Sequence, residues 1–146
     1  MTTNTPGSTA RQDPRNVSNT LRWRFNFNDP GILVGVQIGV LPQNAFIIGQ
    51  WMEIITAFNG TTPQVTVGTI GAAYTNLMDN GDVTEATPAV YIPLITGGNS
   101  IPVGKLGRAL TQAGDTPVFV RFNSGGGATT GVADYVIEFE GGFPDH

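Results

Sequence analysis

The chain of 146 residues contains no cysteine and a single histidine, His146, which is its last residue. Without cysteine there is no disulfide framework, no thiolate nucleophile and no cysteine metal site. One histidine at the end of the chain cannot supply a Ser-His-Asp triad inside a core, nor a multi-histidine metal centre. These absences remove the commonest catalytic arrangements, and we expect neither an enzyme nor a bound cofactor.

Charge is also scarce. Asp, Glu, Lys and Arg make up 12% of the residues, against about 25% in an average soluble domain. The formal net charge is −4 and it is unevenly divided, because residues 1–20 carry two arginines and one aspartate while the remainder carries 5 basic and 10 acidic groups. A weakly acidic body does not offer the basic footprint of a nucleic-acid-binding protein. We therefore expect no nucleic-acid partner.

Long apolar runs are missing too. No stretch reaches the roughly 18 residues that a membrane-spanning helix requires, and the N-terminus shows no basic-then-apolar signal pattern. The sequence predicts a soluble product with no membrane partner, which is either made and used in the cytoplasm or exported by a route that leaves no mark in the sequence. A chain of this length indicates one domain with its own core.

The strongest pattern in the sequence covers residues 21–41. Large apolar residues occupy every second position in its first half, namely Leu21, Trp23, Phe25 and Phe27. This period of two is that of a β-strand and not of a helix. Asp29-Pro30-Gly31 has the composition of a turn, and a second, uncharged apolar strand follows. The pattern predicts a β-hairpin that forms the nucleus of an all-β core.

Further strands follow along the chain, with a helix as the alternative for the long apolar segment after residue 44. The sequence predicts about eight strands, near residues 21–28, 32–41, 45–57, 64–69, 89–95, 100–106, 117–123 and 132–140. Because Pro88 and Pro93 flank the fifth of them, that strand is predicted at a sheet edge. Eight antiparallel strands with frequent turns fit a two-sheet jelly roll or a related β-sandwich.

Residues 1–19 differ from the rest in being rich in Thr, Asn, Ser, Gly and Pro. Such a segment cannot bury enough apolar surface to offset its ordering entropy. We interpret it as a flexible N-terminal arm, either a solvated tail or a segment that orders on a neighbouring subunit, which leaves residues 20–146 as the β-sandwich domain.

Acidic side chains are the remaining route to catalysis. Glu138 and Glu140 share one face of the last predicted strand, where a solvated surface is a better interpretation than a glycosidase pair. Glu53 lies in an apolar strand and is predicted to form a structural ion pair with an arginine of another strand, with Arg22, Arg24 or Arg121 as the candidates.

Two short motifs resemble binding loops only superficially. Asp79-Asn80-Gly81-Asp82 lacks the ligand spacing and the distal glutamate of a calcium loop, and we interpret it as a polar turn. Residues 124–131, SGGGATTG, lack the lysine of a phosphate loop, and we interpret them as a flexible hairpin connection.

Exposed aromatic residues would be needed for the main alternative function, a carbohydrate-binding fibre or adhesin module. The candidates for stacking on a sugar are Trp23, Trp51, Tyr74 and Tyr91. Both tryptophans fall in strongly patterned strands, which favours packing in the core over sugar binding.

The order of these strand and turn segments resembles that of a known family. The segment FNFNDPGILVGVQIGVLPQNAFIIGQWMEIITAFNG is followed by VTVGT, GDVTEAT, VFVRFN and ADYVIEFE. This order resembles the small jelly-roll cement or decoration proteins of tailed-bacteriophage heads, over roughly residues 20–140. The resemblance implies a structural virion protein, assembled in the host cytoplasm, that binds the outer capsid surface as a dimer or trimer and stabilises contacts between capsomers of the major capsid protein.

Arg11 and Arg15 are the candidate contacts for such a shell. They are the two basic residues of the N-terminal arm, and we expect them to act as its polar contacts together with one sheet edge. Many modest contacts repeated by symmetry would then replace a single high-affinity site.

Overall fold

The computed structural model describes residues 18–71, 73–93, 105–107 and 111–141, and this part of the chain contains strands and turns but no helix. The strands are β1 (Ser18–Asn26), β2 (Val36–Leu41), β3 (Phe46–Thr56), β4 (Gln64–Gly68), β5 (Val90–Tyr91), β6 (Thr116–Asn123) and β7 (Val132–Glu140). The predicted all-β class is confirmed, and the long apolar segment after residue 44 is a strand. No helix in the described ranges could cross a membrane.

Two antiparallel sheets pack against each other. One has the strand order β1-β7-β3-β5 and the other has the order β2-β6-β4. The pairs are nested along the chain: β1 pairs with β7, β2 with β6 and β3 with β5. Between β3 and β5 along the chain, Val67 of β4 forms an isolated bridge with Met78. The result is a β-sandwich in which strands distant in sequence are neighbours in space.

The predicted hairpin over residues 21–41 is wrong, because its two strands belong to different sheets. A turn does form where it was predicted, since the Ile32 N–H donates to the Asp29 carbonyl at 3.1 Å. The chain then continues turning, with the amides of Val34 and Gly35 both donating to the Gly31 carbonyl. These consecutive turns carry the chain from one sheet to the other, so β2 begins at Val36, four residues later than predicted.

Strand β3 begins and ends within one residue of its predicted bounds, but its side chains do not alternate regularly. Register shifts occur against β7 between Ile47 and Gly49 and between Ile54 and Thr56. Each β-bulge adds one residue and resets which side chains face the core. Consequently Ile47 is buried together with Gln50, whereas Phe46 and Ile48 are 45% and 40% exposed.

The remaining strands agree with prediction to different degrees. β5 is only two residues long and lies at a sheet edge, as the flanking prolines indicated. The predicted strand near 100–106 falls almost entirely outside the described residues, so seven strands are found in them. The 124–131 segment joins β6 to β7, which lie in different sheets, so the prediction of a hairpin connection is wrong.

The core lies between the two sheets and is centred on three phenylalanines. Phe25 of β1 and Phe122 of β6 come from opposite sheets, and the Phe58 ring lies between them at centroid distances of 5.9 and 4.8 Å. All three are at most 1% exposed. Trp23 was predicted to join this core, but it is 40% exposed, because β1 is an edge strand and offers neighbours on one side only.

Candidate interaction surface

The outer face of the four-stranded sheet carries a buried carboxylate. Asp134 of the central strand β7 has a side chain only 2% exposed, although it points away from the core. Arg22 and Arg24 of β1 cover it, with Nη2 of Arg22 at 2.6 Å from Oδ2 and Nε of Arg24 at 2.7 Å from Oδ1. The side-chain hydrogen bond from Arg24, followed by the contribution of Arg22, outweighs the effect of burial and lowers the pKa of Asp134.

This ion cluster predicts a loss of stability in acid. Because the pKa of Asp134 is lower in the folded state, its stabilising effect is complete above the unfolded pKa of about 3.9 and is lost as the pH falls through the folded pKa. We expect Asp134→Asn to lower the free energy of unfolding by about 1–2 kcal/mol at pH 7, since both arginines are largely exposed to solvent. The deficit should shrink below about pH 4, which urea titrations at several pH values would measure.

Glu53 provides the matched control, because it lies opposite Asp134 on the neighbouring strand β3. The structure pairs the arginines with Asp134 and not with Glu53, so the predicted ion pair of Glu53 is wrong; its charge acts on Arg24 only at longer range. Glu53→Gln should change the stability by less than about 0.5 kcal/mol. A deficit for Asp134→Asn that stays constant from pH 7 to pH 3 would contradict the assignment.

An apolar groove opens beside this cluster, at the edge of the same sheet. It has a volume of 230 Å³ and is lined chiefly by Ile48, Trp51, Ile92, Pro93 and Leu106. Ile48 is the extra residue of the first β-bulge, and the bulge is what brings it to the surface. Ile92 is 62% exposed. A groove with apolar walls offers a place where an apolar side chain of another molecule can be removed from water.

Two carboxylates of β7 lie near the groove in the sheet register, although neither lines it. Glu138 is the register partner of Gly49, which lies on the groove wall, and Glu140 is the partner of Phe46. Both side chains are partly exposed. Their placement on an outer sheet face agrees with the interpretation of a charged surface.

A second exposed apolar feature lies in the turns between β1 and β2, at Leu33 and Val34. These adjacent side chains are 57% and 76% exposed, although the turn itself is well fixed. Ile32 is buried and its carbonyl accepts the Phe122 N–H at 2.9 Å. Nε of Arg121 donates to the Leu33 carbonyl at 2.9 Å. We call Leu33 and Val34, with the turn that carries them, the apolar tip.

The polar turn predicted at residues 79–82 is confirmed. It also has a structural role that the sequence did not indicate, because it binds a buried lysine. The Asp82 N–H donates to the Asp79 carbonyl, and the Asp79 N–H donates to the Asp82 carboxylate. Asp82 also binds Nζ of Lys105, a lysine that is 7% exposed. The Lys105 carbonyl accepts a hydrogen bond from Gln50, which in turn accepts one from the Tyr135 hydroxyl. Through Gln50 of β3 and Tyr135 of β7, these hydrogen bonds and the ion pair of Lys105 connect the two strands to the 79–82 turn.

The four aromatic residues proposed for sugar stacking do not converge on one surface. Trp51 is half-buried at the groove, whereas Tyr91 is opposite Met52 on the core side. Tyr74 lies beside the other sheet, stacked on Phe119 at 4.7 Å. Together with Trp23 on the β1 edge, these positions do not form the shared platform that the alternative function requires.

Two predictions remain, one about the residues that contact a shell and one about metal binding. Arg11 and Arg15, the candidate shell contacts, lie outside the described residues. Within the described ranges, no group of three or more acidic or histidine side chains is placed to hold a metal ion.

Comparisons with known proteins concern the fold. A chain in the solved structure of the cyanophage Pam1 capsid asymmetric unit has a TM-score of 0.59 at 16% identity, over 97% of this chain and 99% of that chain. A chain in the acidic stable capsid structure of Helicobacter pylori bacteriophage KHP30 has a TM-score of 0.54 at 16% identity, over 84% and 86% of the two chains. No protein family model and no curated protein matches the sequence. At this identity the similarity establishes that these chains share a fold.

Proposed function

We propose that this protein is a structural component of a bacteriophage virion, a cement or decoration protein of the capsid. The observation that carries the proposal is the similarity to chains of two phage capsid structures, over nearly the whole length of both chains in the first and over more than four fifths of both in the second. Since the aligned part covers 99% of the Pam1 chain, that chain is itself about this size. The likeness is thus between whole small chains and not to one domain of a large shell protein, which favours a separate accessory subunit.

The nested strand pairing supports a jelly roll as the fold of this subunit. A jelly roll can be described as a long antiparallel hairpin rolled into two sheets, and it contains eight strands. The pairs β1 with β7, β2 with β6 and β3 with β5 follow that scheme. The bridge between Val67 and Met78 occupies the place of the innermost pair, so the 78 region corresponds to the missing strand.

The role we propose is non-enzymatic and depends on contacts with a shell. The protein binds the outer surface of the capsid, after assembly in the host cytoplasm, and stabilises the joints between capsomers of the major capsid protein. It acts as a dimer or trimer, so that several modest contacts are made at once and avidity replaces single-site affinity.

We propose that the N-terminal arm and the adjoining edge of β1 make the shell contacts. β1 begins at Ser18, at the end of the predicted arm, and runs for nine residues without a bulge against β7. It is an edge strand of its sheet in the described part of the chain, and an edge strand is a template for another extended segment. Arg11 and Arg15 on the arm and the exposed arginines of β1 give this contact a basic character.

Deletion of residues 1–17 tests the proposal. We expect the shortened chain to keep its thermal midpoint, because β1 remains complete, and to bind capsids that lack the protein at least about tenfold more weakly. The measurement is co-sedimentation with purified shells over a range of protein concentrations.

The double variant Arg11→Ala/Arg15→Ala keeps the length of the N-terminal arm but removes its positive charges, so the same assay shows how much of the binding depends on charge. It should reproduce a large part of the loss, and the loss should decrease with added salt because exposed charges are screened. Undiminished binding by the deletion variant would remove the arm from the interface. Failure of the full-length chain to bind any shell would overturn the proposed function itself.

A further inference from the structure

Two exposed apolar features lie at opposite ends of the sandwich. The apolar tip follows the end of β1 at Asn26. The groove lies near the other end of the strand, because Gly49 of its wall is opposite Glu138, and Glu138 is opposite Thr20 of β1. The six residue-to-residue steps from Thr20 to Asn26 span about 20 Å in an extended strand. The tip therefore cannot fill the groove of its own chain, but it can reach the groove of a second copy.

The tip is preorganised for insertion. Its turn is fixed by hydrogen bonds from Ile32, Val34 and Gly35 to backbone carbonyls within the turn, and Ile32 is anchored in the core at 2% exposure. The two side chains at its apex are thereby presented without a flexible loop. A preformed apolar projection loses little conformational entropy on binding.

The charges around the two features are complementary. Glu138 is opposite Gly49 of the groove wall in the sheet register, and Glu140 follows two residues later on the same strand, so two carboxylates lie near the groove. Arg121 lies beneath the tip, where its Nε is bound to the Leu33 carbonyl. Docking the tip in the groove brings this guanidinium towards the carboxylates, which favours the contact and sets its orientation.

We propose that the apolar tip of one copy inserts into the groove of a second copy, with Leu33 and Val34 packing against Ile48, Trp51 and Ile92. We take the contact to be head-to-tail, with each copy giving its tip to one neighbour and its groove to another, so that repetition about a rotation axis closes a ring of at least three copies. The inference does not depend on the proposed function, because it concerns the protein in the absence of any capsid.

Three variants of the full-length chain test the contact. Leu33→Asp/Val34→Asp removes the tip, Ile92→Asp places a charge in the groove, and Ile70→Asp is the control, because Ile70 is 69% exposed but belongs to neither feature. In sedimentation equilibrium at micromolar concentration we expect a closed oligomer for the unmodified protein and for the control. Both test variants should be monomeric with thermal midpoints unchanged.

Mixing the two monomeric variants tests whether the tip and the groove bind each other, while the mass of the unmodified protein, three copies or more, distinguishes a ring from a two-fold dimer. The tip of the Ile92→Asp chain is intact, and so is the groove of the tip variant, so an equimolar mixture should form one-to-one dimers and nothing larger. A mixture that stays monomeric would overturn the proposal, as would a monomeric unmodified protein or a tip variant that keeps the full oligomer mass. These results leave capsid binding to be judged separately by co-sedimentation.

Discussion

Lys105→Met is expected to lower the free energy of unfolding by about 3–5 kcal/mol, a large part of the 5–15 kcal/mol typical of a domain. The ammonium group lies against the carboxylate of Asp82, whose side chain is 2% exposed, and 3.5 Å from that of Asp79. Methionine keeps most of the apolar stem but removes the charge. The Asp82 carboxylate then stays in a poorly solvated position and loses its ion pair with Lys105. Urea denaturation at pH 7 measures the loss.

Two further variants separate the charge effect from packing. Asp79→Asn should cost less than about 1 kcal/mol, because the Asp79 side chain is 43% exposed. Combining Lys105→Met with Asp82→Asn removes both charges, and the double variant should be more stable than Lys105→Met alone. A double variant that is destabilised by the sum of its single substitutions would show that the two side chains do not interact.

The strands themselves could be predicted from the sequence, since their signal is local. The strands predicted over residues 117–123 and 132–140 are reproduced almost residue for residue as β6 and β7, and the burial of side chains alternates along β6. Strand pairing carries no such local signal. The Asp29-Pro30-Gly31 turn is real, but nothing in its composition shows that the chain leaves the sheet there and that β1 pairs with a strand more than a hundred residues away.

The interaction surface was harder to predict for related reasons. The exposure of Ile48 depends on a β-bulge, which shifts the alternation by one residue. Asp134 was not singled out, because a carboxylate in an alternating strand usually faces solvent, and only the neighbouring β1 places two arginines over it. Lys105 likewise gave no signal, since its partners in the 79–82 turn are more than twenty residues away.

Gly131→Ala is expected to lower the free energy of unfolding by about 2–4 kcal/mol, through overpacking and backbone strain together. Gly131 precedes β7 with a φ of +149°, and its carbonyl accepts the Phe27 N–H at 3.0 Å. A Cβ at this position would lie 2.6 Å from Cε1 of Phe58 and closer still to Cδ1. Phe58 cannot move aside easily, because its ring is packed between those of Phe25 and Phe122.

The control for backbone strain is Gly127→Ala, at a residue of the same loop with a φ of +74° and open space around its Cβ position. It should cost only about 1–2 kcal/mol. Adding Phe58→Leu to Gly131→Ala relieves the overlap, so the double variant should be more stable than the sum of the two single effects predicts. Strictly additive effects, or equal losses for the two glycine substitutions, would mean that backbone conformation alone, and not the close contact with Phe58, requires glycine at residue 131.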